Sequence, residues 1–307
     1  MATPPWAADI EIDAVLAESV ITGQFPQFSG ERVREFGSGW DNAAFRVGED
    51  VLFRFPRRRV AVALLEREVA LLPLFAPQLP LPISAPRYAG TATPQYPSTF
   101  AGYELIPGAT ACSVVLHDDA RVALAVPLAN FLRALHGVDP APLVSRGLPG
   151  DEIGRLDHRK RLSLTRERLL PLAAAGLIDE PHALTDWLST HPPARLDDSQ
   201  RSLVHGDLYA RHVLLDARGH PTGVIDWGDA HLGDPALDIA IAHMILPAGA
   251  HAAFRRAYGG IDERTWSVAL YRAIYHAVLQ FDYGVRANDV GMRESGNAAL
   301  RLVRQSI

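Results

Sequence analysis

Three side chains stand out for the chemistry they could do together: Asp207, His212 and Asp226. The first two lie in Leu203-Val204-His205-Gly206-Asp207-Leu208-Tyr209-Ala210-Arg211-His212-Val213-Leu214-Leu215-Asp216, and the third in Gly223-Val224-Ile225-Asp226-Trp227-Gly228-Asp229. Apolar stubs flank a polar loop in each stretch, so two short strands should present Asp207, His212 and Asp226 at one edge. Gathered this way, one carboxylate can accept a proton from an incoming hydroxyl. The other carboxylate and the imidazole can hold a divalent metal on a polyphosphate. The plainer alternative is a loop stapled by an Asp–His hydrogen bond. The arrival of the second strand and its acid together with the first favours the chemical reading.

The pattern His-Gly-Asp, four residues, then His, followed by Ile-Asp-Trp, resembles that of the aminoglycoside phosphotransferase family, antibiotic kinases of the protein-kinase-like fold. The five-residue step from Asp207 to His212 equals the Asp-to-Asn step of the kinase catalytic loop. The resemblance implies that Asp207 is the catalytic base and Asp226 the metal-binding acid, with Mg²⁺ as the ion and ATP or GTP as the phosphoryl donor. His212 stands where Asn is commoner, as it can in macrolide kinases and 2''-aminoglycoside kinases, and a neutral imidazole can ligate a metal.

The resemblance reaches earlier segments. Phe36-Gly37-Ser38-Gly39-Trp40-Asp41-Asn42 falls where such enzymes place a phosphate-covering loop, which implies nucleotide contacts from Gly37, Ser38, Gly39 and Asn42. Asn42 stands near the place of a third glycine. Taken alone, Gly-Ser-Gly in a hairpin is an ordinary turn. Val51-Leu52-Phe53-Arg54-Phe55-Pro56 matches the strand whose lysine usually pairs with the nucleotide phosphates. The only lysine of the chain is Lys160, so Arg54 must serve or the role is vacant. Arg keeps its charge and can grip phosphate in a fork. The resemblance also implies a partner acid on the next helix: Glu68, in the Arg-Glu-Val-Ala-Leu-Leu run typical of the family, with Glu66 the alternative, since two residues apart on a helix means different faces and only one can point inward. Tyr103-Glu104-Leu105-Ile106-Pro107-Gly108 matches the hinge that lines the base pocket, where backbone groups of Glu104 and Ile106 would bond the base edge.

The elements that must position these residues read as two lobes. Up to about residue 106 the chain is β-rich. It shows strand character at 32–36, 43–47, 51–55, 84–89 and 100–106, a Gly48-Glu49-Asp50 hairpin turn, a first helix over 9–24 and an inserted helix over 60–72 that Pro73 should end. After residue 110 the segments 121–136, 155–175, 181–190, 235–245, 250–258, 265–281 and 292–303 read as helices around the compact 202–229 stretch. The fold class expected is α+β, a bilobal protein-kinase-like fold with a nucleotide-binding N-lobe at 1–106 and a larger helical lobe at 107–307 for catalysis and acceptor binding. His136, Asp234 and Asp238 read as packing and bracing groups.

Composition narrows the alternatives. The 307 residues are 48% hydrophobic and 21% charged, which suits a globular core and excludes whole-chain disorder, collagen or coiled coil. A single cysteine, Cys112, excludes a disulfide framework and fits a cytoplasmic protein. The net charge of -5 disfavours a nucleic-acid partner, and no apolar run is long enough for a membrane span. The first 13 residues lack the basic and apolar regions of a signal peptide.

For the acceptor, a small-molecule hydroxyl is expected. A polycationic aminoglycoside needs clustered carboxylates, and Asp151, Glu152, Asp157, Asp229, Asp282, Asp289 and Glu294 are the candidates. Tyr209, Trp227, Tyr271, Tyr275 and Tyr283 could instead line an apolar pocket for a macrolide. The residues after 106 carry 23 acids against 21 Lys and Arg, so that half is not strongly acidic. The readings are ranked as aminoglycoside, macrolide, then a metabolite alcohol such as a sugar, choline or homoserine. Arg54 and the reduced glycine loop keep open a different class, a nucleotide-binding scaffold without transferase activity.

Overall fold

The structure is a computed structural model that describes residues 9–38, 41–194 and 196–307. It divides into two compact units. The first comprises the chain to Pro77, Ile83–Ile106 and the short piece Asp226–Gly228, and the second comprises the rest. Both expected lobes exchange a short segment with the other unit, since 78–82 joins the second and Asp226–Gly228 joins the first.

The first unit is built on an antiparallel sheet of β1 (Val33–Ser38), β2 (Asn42–Val47), β3 (Val51–Pro56), β4 (Pro86–Gly90) and β5 (Phe100–Glu104), in the order β1-β2-β3-β5-β4. Gly48 takes a φ of +58° in the β2–β3 turn, as a tight hairpin requires. Alternation along β3 sends Phe53 and Phe55 into a core with Phe28, Phe45, Tyr96 and Phe100, which α1 (Ala14–Gln24) covers. Asp13 caps α1 by accepting from the N–H of Leu16 at 2.8 Å, so the helix begins five residues later than the sequence suggests. Arg54, between the two phenylalanines, takes the other face of the sheet.

On that face lies α2 (Arg59–Phe75), which buries Ala61, Leu65, Glu68, Leu72 and Phe75 in one helical stripe. The helix does not stop at Pro73. Pro73 lies within three residues of its end, so it forfeits one bond of the last turn, and the N–H of Ala76 still reaches the carbonyl of Leu72.

The second unit centres on α10 (Glu263–Arg286), a 24-residue helix buried on nearly every side. Around it pack α6 (His158–Ala174), α8 (Ala236–Ile245) and α11 (Val290–Arg304). Gly284 and Gly296 let α10 and α11 approach closely, since a Cβ on Gly296 would stand 2.6 Å from the backbone N of Phe281. The remaining helices are α3 (Asp118–Ala123), α4 (Ala125–His136), α5 (Ala141–Val144), α7 (Pro181–Thr190) and α9 (Ala248–Tyr258). Two small sheets carry the loops of interest. β7 (Ser202–Val204) pairs with β10 (His231–Gly233), and β8 (Val213–Leu215) pairs with both β6 (Ala109–Thr110) and β9 (Pro221–Val224). Among the described residues no helix is long and apolar enough to cross a membrane.

Candidate active site

In the second unit β7 delivers the chain to His205-Gly206-Asp207, and a short 3-10 turn, Ala210–His212, returns it to β8. Gly206 has a φ of +82°, and a Cβ there would sit 2.6 Å from the carbonyl oxygen of Asp229 and 2.7 Å from the His231 ring. Only glycine fits both demands. The loop is pinned from below by Asp238, fully buried on α8, whose carboxylate accepts from the N–H of His205 at 2.7 Å and of Gly206 at 2.8 Å. His136 backs Asp238 at 3.2 Å. Burial presses the Asp238 carboxyl toward neutrality, but the bonds from His136 and the loop amides hold it below the usual range. Asp234 caps the entry to α8 by accepting from Ala236 N at 2.9 Å.

Asp207 keeps 31% of its side chain exposed, enough for an incoming molecule to reach it. Arg272 of α10 donates to its Oδ1 at 3.1 Å, and Nε2 of His276, one turn further on, stands 3.4 Å from the same oxygen. Burial pushes the Asp207 carboxyl up, yet His276, Arg272 and His212 together draw it below its ordinary value. His276 itself is pushed down to about 3, first by burial and then by Arg272, so its ring is neutral near pH 7 and becomes a cation only in the acid range where a carboxyl titrates. The result is an anionic carboxylate with one oxygen fixed by α10. Such a group can accept the proton of a bound hydroxyl.

His212 is buried, and its Nδ1 lies 2.8 Å from the carbonyl oxygen of Asp207. A carbonyl only accepts, so Nδ1 donates there; in that tautomer a neutral ring would carry its lone pair at Nε2, the arrangement a metal-ligating histidine needs. Among the described residues no three His, Cys, Asp or Glu side chains form a ready-made metal cage. A magnesium ion bound with a nucleotide takes much of its shell from phosphate and water, so a sparse protein contribution fits that ion.

The first unit holds a second charged cluster. Arg54 donates to Oε2 of Glu68 at 3.0 Å, and the hydroxyl of Tyr103 donates to the same oxygen at 3.2 Å. Glu68 is buried, whereas Glu66 lies exposed on the other side of α2. Burial raises the Glu68 carboxyl, Arg54 opposes that rise, and Asp226 adds to it. Burial also works against the charge of Arg54, but Glu68, Tyr103 and Asp226 more than restore it and raise its pKa. Asp226 therefore stands in the field of this pair although it is 172 positions from Arg54 in the chain. Its φ of +67° is in the left-handed region, a conformation an Asp tolerates better than most residues but holds at a cost of about 1 kcal/mol or more. The next residue, Trp227, is buried 5.5 Å from the ring of Phe75.

The other expected positions are distributed as follows. Gly37 sits after an irregularity in the β1–β2 register, and Asn42 opens β2 opposite Pro56. Gly39 lies outside the described residues, and of Ser38 only the strand backbone is described. Glu104 ends β5, exposed and paired with Arg87, and Ile106 follows on the edge of that unit.

Sequence reasoning missed Arg155, Arg272 and His276. Arg155 donates from Nε to the Gly206 carbonyl at 3.1 Å, and also binds Asp151 and Asp229. One signal was available. Arg272 and His276 are spaced four apart inside an apolar and aromatic run of α10, so both face one buried partner.

A mixed α/β chain with a five-stranded antiparallel unit, a helical unit and a braced His-Gly-Asp loop has the parts of a kinase-like phosphotransferase. Residues 32–271 match the sequence profile of the phosphotransferase enzyme family (APH), and the chain belongs to that family. It is a phosphotransferase whose acceptor is an alcohol group. The GDP and kanamycin complex of APH(2")-IIia is similar with a TM-score of 0.65 at 26% identity, covering 94% of this chain and 98% of that one. Macrolide 2'-phosphotransferase type I is similar in fold, with a TM-score of 0.58 at 23% identity over 96% of this chain and 99% of that one. Among curated sequences, the uncharacterized protein YcbJ of Bacillus subtilis (strain 168) is 29% identical over 147 residues. That match spans 46% of this chain and 44% of YcbJ, less than half of either.

Proposed function

We propose that this chain transfers the γ-phosphate of ATP or GTP to a hydroxyl of a small molecule, with an aminoglycoside antibiotic as the first candidate acceptor. The observation that carries the reading is the Asp207 carboxylate, anionic, reachable and fixed through Oδ1 by α10. Asp207 orients the acceptor hydroxyl and takes its proton. The oxygen so freed attacks the γ-phosphorus, and the nucleoside diphosphate leaves with the bridging oxygen. Mg²⁺, held by Asp226 and His212, would neutralise phosphate charge. Arg54, oriented by Glu68, binds phosphate oxygens, and the 37–42 loop and the Glu104–Ile106 backbone hold the remainder of the nucleotide. The kanamycin in the APH(2")-IIia complex supports an aminoglycoside.

One set of contacts favours a second reading, an acceptor with few positive charges such as a macrolide. Most of the carboxylates that could meet a polycation are already engaged. Asp151 and Asp229 bind Arg155, Asp282 binds Arg286, Asp289 binds Arg211, and Asp157 caps α6. A screen of aminoglycosides, macrolides and small alcohols with each nucleotide, followed as phosphorylated product, tests both. Transfer to kanamycin-type acceptors supports the first reading and transfer only to macrolides the second. Nucleotide binding with no transfer to any acceptor would replace both with a nucleotide-binding scaffold.

A further inference from the structure

A cavity of about 670 Å³ opens in the helical unit among the segment after β6, the start of α3, the end of α8 and α11. Ala210 and Arg211 reach it, but Asp207 and His212 do not line it. Its charged lining is Arg121, Arg211, Arg301, Asp289 and Glu294. Arg211 is matched by Asp289 at 3.3 Å, and Asp289 is further committed to capping α11 through the N–H of Met292 at 3.0 Å. Arg121 is anchored by Nε to the Leu116 carbonyl at 3.1 Å and by Nη1 to the Ile245 carbonyl at 3.0 Å. Those bonds fix the guanidinium, and the nearby Asp118 carboxylate supplies a countercharge. Arg301 has no ion pair among the described residues, and its charge acts on Arg121, whose pKa burial pushes below its usual value against the pull of Asp118, with Arg301 adding to the fall. The charged side chains lining the cavity are thus three arginines against Asp289 and Glu294, a net charge of about one positive, with Arg301 matched by no ion pair among the described residues.

The apolar side of the cavity is equally unspent. Val114 and Val115 line it and are 37% and 78% exposed, beside Ala298, Met244 and Ile245. The two adjacent valines give the cavity an apolar rim. Guanidinium forks match carboxylate oxygens, and an apolar wall matches the body that carries them. We propose that this cavity is a binding site for a small organic monoanion, a carboxylate on an apolar body, held by Arg121 and Arg301 and covered by the Val114–Val115 segment.

The test uses the full chain and needs no turnover, so it stands apart from the phosphotransfer reading. Cys112 lines the cavity and is the only cysteine, so its alkylation by neutral N-ethylmaleimide, read by intact mass, reports occupancy locally. The probe is 2-naphthoate. It should slow alkylation several-fold and saturably in the millimolar range, which is ordinary for a fragment-sized ligand. Arg301→Ala, an exposed change that leaves the fold intact, should raise the half-protecting concentration about tenfold, the loss of one charge-assisted contact. The neutral 2-naphthalenemethanol should protect at least as poorly as naphthoate does in that variant. Absence of saturable protection up to about 10 mM, equal protection by the neutral alcohol, or indifference to Arg301→Ala would each overturn the proposal. Stronger protection by 2-naphthyl phosphate than by naphthoate would overturn the choice of a carboxylate.

Discussion

Two carboxylates of this protein are held by arginines, and they are held in opposite ways. In the first unit Glu68 is the buried partner, 3% exposed, and Arg54 the more exposed one at 22%. The acid occupies a core position of α2, and the cation projects from the face of β3 on which α2 lies. In the second unit the order is reversed. Asp207 is the reachable group, and Arg272 is the buried support, only 4% exposed. An ion pair is therefore not one kind of device. Which partner is buried decides which one is offered to a ligand, and the buried partner's geometry matters more.

The largest effect that can break this comparison comes from Asp207. Asp207→Asn keeps the shape and the contact to Arg272 but cannot take a proton. Turnover should fall about a thousandfold, within the range for loss of a general base, while nucleotide affinity measured by fluorescence titration changes less than about twofold. Substantial residual turnover would remove Asp207 from the base role and leave the Glu68 pair as the only charged device with a function.

Lysine swaps sharpen the contrast with a smaller effect. Arg272 uses its fork, with Nη2 on the Gly206 carbonyl at 3.3 Å and on Asp207 Oδ1 at 3.1 Å, and Nη1 on Tyr275. A lysine cannot reproduce that set, so Arg272→Lys should cost about 1.5–3 kcal/mol of stability and lower kcat. Arg54 makes one hydrogen bond to Glu68, a contact an ammonium can also make, so a point charge at that place can do much of its work. Arg54→Lys should cost under about 1 kcal/mol in denaturant unfolding and change kcat/KM for the nucleotide by less than about threefold. Equal costs at the two positions would erase the distinction.

The same asymmetry explains what could be read from sequence. Arg54 and Glu68 were named from the family resemblance, and local periodicity sets the face of each. Alternation in β3 turns Arg54 away from Phe53 and Phe55, and the helical repeat puts Glu68 in line with Leu65 and Leu72 while turning Glu66 outward. The Asp207 loop was legible as a motif, since its glycine, its two flanking strands and its histidine are contiguous. Its support was not. Arg272 and His276 are 65 and 69 positions downstream, and nothing local to the loop specifies which helix will cross behind it. Pro73 shows the opposite error. A strong local rule predicted a helix end, but a proline one turn from a terminus loses too little to stop a helix whose last residue, Phe75, is buried.

The smallest expected effect separates the two units by acid. All 12 histidines lie after residue 106, so protonation of imidazoles can act only on the helical unit's sequence. His243 is buried 4.2 Å from the ring of Trp266 and 5.1 Å from that of His251. Burial, then the neighbouring His251, pushes its pKa from 6.5 down to about 3. The unfolded chain therefore binds a proton at His243 that the folded chain refuses between those two values. Stability must rise with pH across that window and fall as the medium is acidified below about 6.5, by up to about 1.4 kcal/mol per pH unit for one such group. His243→Leu, similar in size and without the titration, should flatten the pH dependence of unfolding free energy by about that slope between pH 6 and 4, with little change at pH 8. His276 remains in the variant and is also depressed, so part of the acid sensitivity should persist. Parallel curves for variant and wild type would mean that His243 is protonated as easily in the folded chain as in the unfolded one. Acid loss would then come from His276 and from carboxylates such as Asp238, whose depressed pKa makes its contribution disappear only as the pH drops below the ordinary carboxylate range.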